Sequence, residues 1–233
     1  MAAFLLLAAC TFLALGVWQV QRLQWKHALI ARVDARVHAD PTNLPADSVL
    51  NTQDKDRLEY LRVRVSGQYQ PRMTALVRAA TELGTGYWVM TAFDTTDGRR
   101  VWINRGYVPS GTALARVSAG APSGTVNIVG LVRMTEPGGS LLQANRPDID
   151  RWYSRDVAAL TQSRSAGQTA PVFIDAQRED GARPAKALAP VPGLTVIHFA
   201  DNHLGYALTW FALAILSLLA ILLAWRRQGR NVA

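Results

Sequence analysis

The side chain best placed for coordination chemistry in this chain is His203. It follows Asp201-Asn202, two good helix N-cap residues, and opens a long apolar run. A histidine in the first turn of a helix feels the positive end of the macrodipole, which disfavours imidazolium and keeps the ring neutral. Neutral imidazole is the form that binds a metal or a haem iron. Tyr206 and Trp210 lie close by, so an amphiphilic cofactor with a lipid tail would have an aromatic surface beside it. The competing reading is an interfacial polar residue hydrogen-bonded to a neighbour. The other histidines carry less. His27 and His38 belong to a solvated helix or its end, and His198 falls in an expected strand.

Other reaction machinery is missing. The chain has no G-x-S-x-G, no H-E-x-x-H, no Walker A loop and no G-x-G-x-x-G after a strand. Gly84-Thr85-Gly86 precedes a strand rather than a helix and reads as a turn. Asp148 and Asp150 form a close pair better suited to capping or loop structure than to acid–base work. The one cysteine, Cys10, follows Leu7-Ala8-Ala9 in superficial likeness to a lipoprotein cleavage box, but apolar sequence runs on past it. It reads as a small buried residue in a span. A central domain without cysteine has no disulfide, zinc cluster or iron–sulfur site. The expectation is a protein that is not an enzyme.

The elements that must position His203 begin with two apolar runs, Ala2 to Trp18 and Leu204 to Trp225, neither with a charged side chain. At 1.5 Å per residue they span about 26 Å and about 33 Å, near the hydrocarbon thickness of a bilayer. Of the net charge of +8, Arg226, Arg227 and Arg230 supply +3 directly after the second run. Basic residues abutting a span stay cytoplasmic, so both termini are expected inside and the middle of the chain outside. Arg22, Lys26, Arg32 and Arg36 follow the first run and, taken alone, would invert it; a short basic leader ahead of Met1 would remove the disagreement. The mild positive charge of the middle is spread singly along strand-like segments such as Leu61-Arg62-Val63-Arg64-Val65, and no nucleic-acid reader motif is present. The partner implied is the lipid bilayer, not nucleic acid.

Trp18, Trp25, Leu29 and Val33 recur at helical spacing, so the first helix is expected to continue beyond the bilayer to Asp40-Pro41. Residues 41–56 read as a linker. Strands are expected over Leu58 to Gly67, Ala75 to Ala80, Tyr87 to Asp94, Arg100 to Asn104, Val126 to Arg133, Val172 to Ala176 and Leu194 to Phe199. Thr96-Asp97-Gly98-Arg99 reads as a hairpin turn, with Arg105-Gly106 bending the strand after it. Pro109 to Gly124 and Glu179 to Pro192 read as loops, and Tyr153 to Leu160 as a short helix capped by Ser154. The expected fold class is an α+β membrane protein: two transmembrane helices flank an extracytoplasmic, antiparallel β-rich domain, barrel- or sandwich-like, with one short helix. The domains run 1–40 for the first helix, 41–200 for the β-domain, 201–226 for the second helix and 227–233 for a basic tail.

Four segments also resemble a known family. Gly16-Val17-Trp18-Gln19-Val20-Gln21-Arg22-Leu23-Gln24-Trp25-Lys26 is similar to the G-x-W-Q-x-x-R-x-x-W-K signature of the surfeit locus protein 1 family. Gly86-Tyr87-Trp88-Val89-Met90-Thr91 resembles its G-Y-x-V-x-T-P strand, although Ala92-Phe93 stands where Pro-Leu is common. Asn104-Arg105-Gly106-Tyr107-Val108-Pro109 resembles N-R-G-W-V-P, with Tyr107 for the commoner Trp. Asn202 to Phe211 resembles N-H-x-x-Y-A-x-T-W-F. The four occur in the family's order and cover the chain end to end.

The resemblance implies an assembly factor for haem–copper cytochrome c oxidase in a bacterial plasma membrane, acting around insertion of haem a into the catalytic subunit, with His203 as the suspected haem ligand. Trp18, Arg22, Trp25, Tyr206 and Trp210 are implied as further haem contacts. Lys26, Arg105 and Tyr107 are implied as contacts to partners, the oxidase catalytic subunit or haem A synthase. Each also has a plainer reading. Arg22 and Lys26 can snorkel to lipid phosphates, and the tryptophans can form an interfacial belt. Arg105 can pair a carboxylate in a turn held by Asn104.

Overall fold

The computed structural model describes residues 2–140, 142–184, 187–194 and 202–230. The chain divides into two compact units. One comprises Met1–Asp34 with Ile197–Ala233, and the other Ala35–Val196. The first holds most of helix α1 (Ala2–His38) and, among the described residues, the final helix; the second is a β-barrel.

The barrel grows from alternation. Strand β2 (Arg62–Thr81) points Val63, Val65 and Tyr69 inward and Arg64 and Gln68 outward, the period of a half-buried strand. It is the longest strand, and the expected segments 58–67 and 75–80 are its two halves. Residues 62–67 pair with strand β5 (Ser123–Met134), and the later residues pair with strand β3 (Gly84–Thr95). The register shifts between Tyr69 and Thr74, around Pro71, where the strand turns from one neighbour to the other. Strand β4 (Arg100–Pro109) pairs antiparallel with β3, and strand β6 (Val172–Ala182) joins β4 in parallel and β5 antiparallel. The circuit β2-β3-β4-β6-β5-β2 therefore closes, which removes exposed strand edges. It is a five-stranded Greek-key barrel of the OB type. The two-residue strand β1 (Thr42–Asn43) adds in parallel along β2. The Asp97-Gly98 hairpin turn forms as expected, with Gly98 at positive φ.

Val63, Val65, Phe93, Val101, Ile103, Ile128, Val132, Val172 and Ile174 fill the barrel. Outside it a second core covers β3, β4 and β6. Trp102, Met90, Ala92 and Phe173 pack under Trp152 and under Val157 and Leu160 of helix α5 (Val157–Ser163). Strand β4 is thus covered on both faces, and every residue from Val101 to Val108 is buried.

Several expectations need correction. The 41–56 linker holds helix α2 (Asp47–Leu50), and helix α3 (Lys55–Leu58) begins at its end; Leu44, Leu50 and Leu58 are buried in the barrel core. Arg99 fastens this segment by donating to the carbonyls of Pro45 (2.6 Å) and Leu44 (3.2 Å). The 109–124 segment holds helix α4 (Leu114–Ala119), anchored by buried Val117. Asp156, not Ser154, caps α5, accepting from the Ala159 amide at 3.0 Å. Ser154 instead donates to the Glu136 carbonyl at 2.6 Å. Strand β6 runs on through Glu179. Most of the expected strand Leu194 to Phe199, with His198 and Asp201, lies outside the described residues.

One ion pair sits inside the barrel. Val129 pairs with Arg178 and Gly130 with Ala176, so Gln177 is an extra residue on β6. That bulge turns Glu179 inward. Arg105 meets it there, with Nε 3.1 Å from Oε1; the two side chains are 0% and 3% exposed. Tyr69 donates its hydroxyl to the same carboxylate, Arg183 reaches it at 2.5 Å, and the Arg105 guanidinium lies 4.9 Å from the Tyr69 ring centre. Burial, then the charge of Glu179, pushes the Tyr69 hydroxyl well above its ordinary pKa, so it stays a donor. Breaking a buried pair by removing one partner leaves an uncompensated charge. Arg105→Leu or Glu179→Leu alone is expected to cost about 3–5 kcal/mol, and the double variant distinctly less than the sum. Chemical unfolding of the four proteins measures this, and additive single effects would contradict it.

Acid should loosen the same contacts. Burial raises the Glu179 carboxyl, but the charge of Arg105 and hydrogen bonds from Arg105, Tyr69 and Arg183 outweigh it, and the net shift is downward. Glu136 is lowered in the same way, burial being outweighed by Arg155 at 2.5 Å. A depressed carboxylate contributes stability in full above its unfolded value, about 4.3, and loses it as pH falls below that. Melting temperature should therefore drop more steeply below about pH 4, and Glu179→Gln should flatten that drop. Equal slopes in both proteins would refute the assignment.

Candidate functional site

Among the described residues, helix α6 (His203–Arg230) and α1 are the two helices long and apolar enough to cross a membrane. Few of their apolar side chains are covered by protein, which fits a lipid surrounding better than a soluble core. Their covered residues repeat by sevens: Ala9 and Gly16 on α1, Ala207 and Ala214 on α6. That is the spacing of a helix–helix seam.

Phe12 meets Trp210, whereas Gln19, farther along α1, meets His203, earlier on α6, so the pair is antiparallel. Phe12 stacks on Trp210, with ring centres 5.7 Å apart. Phe211 lies against Gly16 so closely that a Cβ there would stand 2.5 Å from its ring. A glycine at this position lets the two backbones approach. At the end of the seam, Gln19 Oε1 is 2.8 Å from His203 Nδ1. Gln19 is a buried amide on an otherwise apolar seam, and such a group needs a hydrogen-bond partner.

The structure thus brings His203 and Trp210 into one seam with Gly16, Gln19 and Phe211. Trp18, Arg22 and Trp25 lie at i, i+4 and i+7 on a single exposed flank of α1, with the Arg22 guanidinium 4.1 Å from the centre of the Trp25 ring. Lys26 is half-buried on the same helix. Tyr206 is exposed on α6. His203 itself is half-buried. Among the described residues no three His, Cys, Asp or Glu side chains gather as a metal cage, so His203 offers a single donor.

Arg105 and Tyr107 belong to the other unit, and both are buried. Their side chains are not available to a partner at the barrel surface, because β4 is covered on both faces. The plainer reading of the Asn-Arg-Gly turn fits the geometry. Asn104 donates to Asp175 at 2.8 Å and accepts from the Gly106 amide at 3.2 Å, while Arg105 pairs with Glu179. Gly106 has φ +119°, and a Cβ there would lie 2.2 Å from the Val191 carbonyl. Tyr107 donates its hydroxyl to the Thr85 carbonyl at 3.0 Å, and its backbone exchanges two 2.9 Å hydrogen bonds with Val191. The motif therefore fixes the β2–β3 turn and the 187–194 segment.

Gln19 belongs to the first signature, but the sequence reading gave it no part in the site. Its signal was present: an amide three residues after Gly16, hence on the same helix face, at the end of an apolar run.

Comparison with known proteins gives a consistent family. The SURF1 family model matches residues 6–215. Surfeit locus protein 1 of Mus musculus is 36% identical over 227 residues, covering 90% of this chain and 71% of that protein. The Homo sapiens protein of the same name is 35% identical over 228 residues, covering 90% and 72%. A SURF1-like protein of Monosiga brevicollis is 34% identical over 242 residues, covering 98% and 88%. With a family match over most of its length and relatives of this similarity, the chain belongs to the SURF1 family.

Proposed function

We propose that this chain is a non-enzymatic membrane chaperone for haem–copper cytochrome c oxidase. It would hold haem a at the outer surface of a bacterial plasma membrane while the catalytic subunit matures, with His203 as the residue that would bind the iron. The observation that carries the reading is the His203–Gln19 contact at the end of the helix seam. It gives an imidazole in the first turn of an apolar helix a fixed orientation, with Trp210 and Tyr206 on the same helix. The donor chemistry fits the group. A single imidazole suits haem iron, aromatic faces suit a porphyrin and its lipid tail, and Arg22 offers a cation to a propionate. When bound, haem a supplies the redox-active iron that the oxidase requires; the chain supplies an oriented ligand and an apolar surface. The basic residues that close α6, Arg226, Arg227 and Arg230, support a cytoplasmic side for both termini and an outer side for the barrel.

A second reading is a structural partner that binds the oxidase or haem A synthase and holds no haem. The exposed Trp18–Arg22–Trp25 flank favours it, since aromatic and arginine side chains are enriched where proteins dock. The two readings part on haem retention. Wild type and His203→Ala would be purified from cells that make haem a and compared by absorption spectrum and haem stoichiometry, with melting temperature as the folding control. The chaperone reading expects a Soret band in wild type and at least about a tenfold loss in the variant. Equal stoichiometry and unchanged spectra would remove the ligand role. An apo wild type that co-purifies with oxidase subunits would support the second reading.

A further inference from the structure

The contact that orients His203 also determines which of its nitrogens can bind a metal. Gln19 presents its amide oxygen to Nδ1 at 2.8 Å. An amide oxygen has lone pairs and no hydrogen, so the hydrogen in this bond is on Nδ1. In the neutral ring the basic lone pair is then on Nε2. Histidine in water favours the opposite tautomer, so an acceptor at this position would impose the Nδ1–H form.

The seam makes that partner dependable. Gly16 lies three residues before Gln19 and admits the Phe211 ring to the surface of α1. Phe12 and Trp210 stack one turn beyond. These contacts set the separation of the helices where Gln19 meets His203. The amide is itself 8% exposed, so water competes little for its oxygen. A histidine ligand usually donates its other ring N–H to an oxygen acceptor, which fixes the tautomer and raises the basicity of the ligating nitrogen.

We propose that Gln19 is a positioning residue: it holds His203 in the Nδ1–H tautomer and thereby makes Nε2 the electron-pair donor to the iron of haem a. This rests on the reading of His203 as the residue that would bind the haem iron. It adds the residue that prepares the ligand before haem arrives.

Two arms test it on the full-length protein in lipid nanodiscs. The first is nitrogen NMR of histidine-labelled apo-protein at about pH 8, above the ordinary histidine pKa, with the His203 signals identified by their loss in His203→Ala. Wild type and Gln19→Glu are expected to show protonated Nδ1, since a carboxylate also accepts. Gln19→Leu, an apolar replacement suited to the seam, is expected to shift toward protonated Nε2. The second arm titrates the same proteins with iron protoporphyrin IX. Gln19→Leu should bind about 10–100-fold more weakly than wild type, and Gln19→Glu within a few fold of it.

Protonated Nε2 in the wild type would overturn the proposal. So would Gln19→Leu with unchanged tautomer, or with unchanged affinity while His203→Ala loses the porphyrin. If His203→Ala binds as tightly as wild type, the iron-ligand reading itself fails, and the first arm still reports whether Gln19 sets the tautomer.

Discussion

The candidate site depends on how closely two apolar helices approach each other. In a bilayer the hydrophobic effect does not drive helices together, because lipid tails are as apolar as leucine; close packing and polar contacts must do so. Here the close packing is Phe211 against Gly16 and Phe12 against Trp210, and the polar contact is Gln19 with His203. Widen the seam by one methylene at Gly16 and the ring of Phe211 must move. The distance across which Gln19 reaches His203 would change with it. The family's first and last signatures are therefore two sides of one contact. Each contributes a packing residue and a polar residue to it.

The barrel answers to a different constraint, charge within a small core. Two carboxylates of β6 organise its buried polar groups. Asp175 collects Asn104, Arg133 and Arg155, and Glu179 collects Arg105, Tyr69 and Arg183. Consecutive residues of the Asn-Arg-Gly turn thus serve both carboxylates. Asn104 and Arg105 point to opposite faces of β4, and the bulge at Gln177 brings Glu179 round to meet the inward one. The cost of desolvating these ions is met only where both partners are in place, so the barrel itself constrains the turn sequence.

Much of this architecture was legible in the sequence, and the exceptions have physical causes. The two apolar runs, the Asp-Gly hairpin and the alternation along 61–65 are strong local signals, and each gave the right element. Helices α2, α3 and α4 were missed because they are four to six residues long and hold few buried side chains, so no period can show. What places Leu44, Leu50 and Leu58 is tertiary: they plug the barrel core from a segment that is otherwise polar. Continuous burial of β4 hid which way Arg105 points. The nearby residues give no hint of Glu179, its partner 74 positions away. His203 could be singled out from its place at a helix start. Gln19 could not be matched to it, because pairing residues 184 apart requires the register of the helix seam.

The central claim is that the first and last signatures meet through Gln19 and His203. A dipolar recoupling measurement between the labelled side-chain amide carbon of Gln19 and Nδ1 of His203, in protein reconstituted into bilayers, reads that contact directly. The account predicts strong dephasing, corresponding to a hydrogen-bonded pair, and its loss in Gly16→Leu, where the helices cannot close. Folded wild-type protein with no measurable coupling between the two nuclei would contradict it.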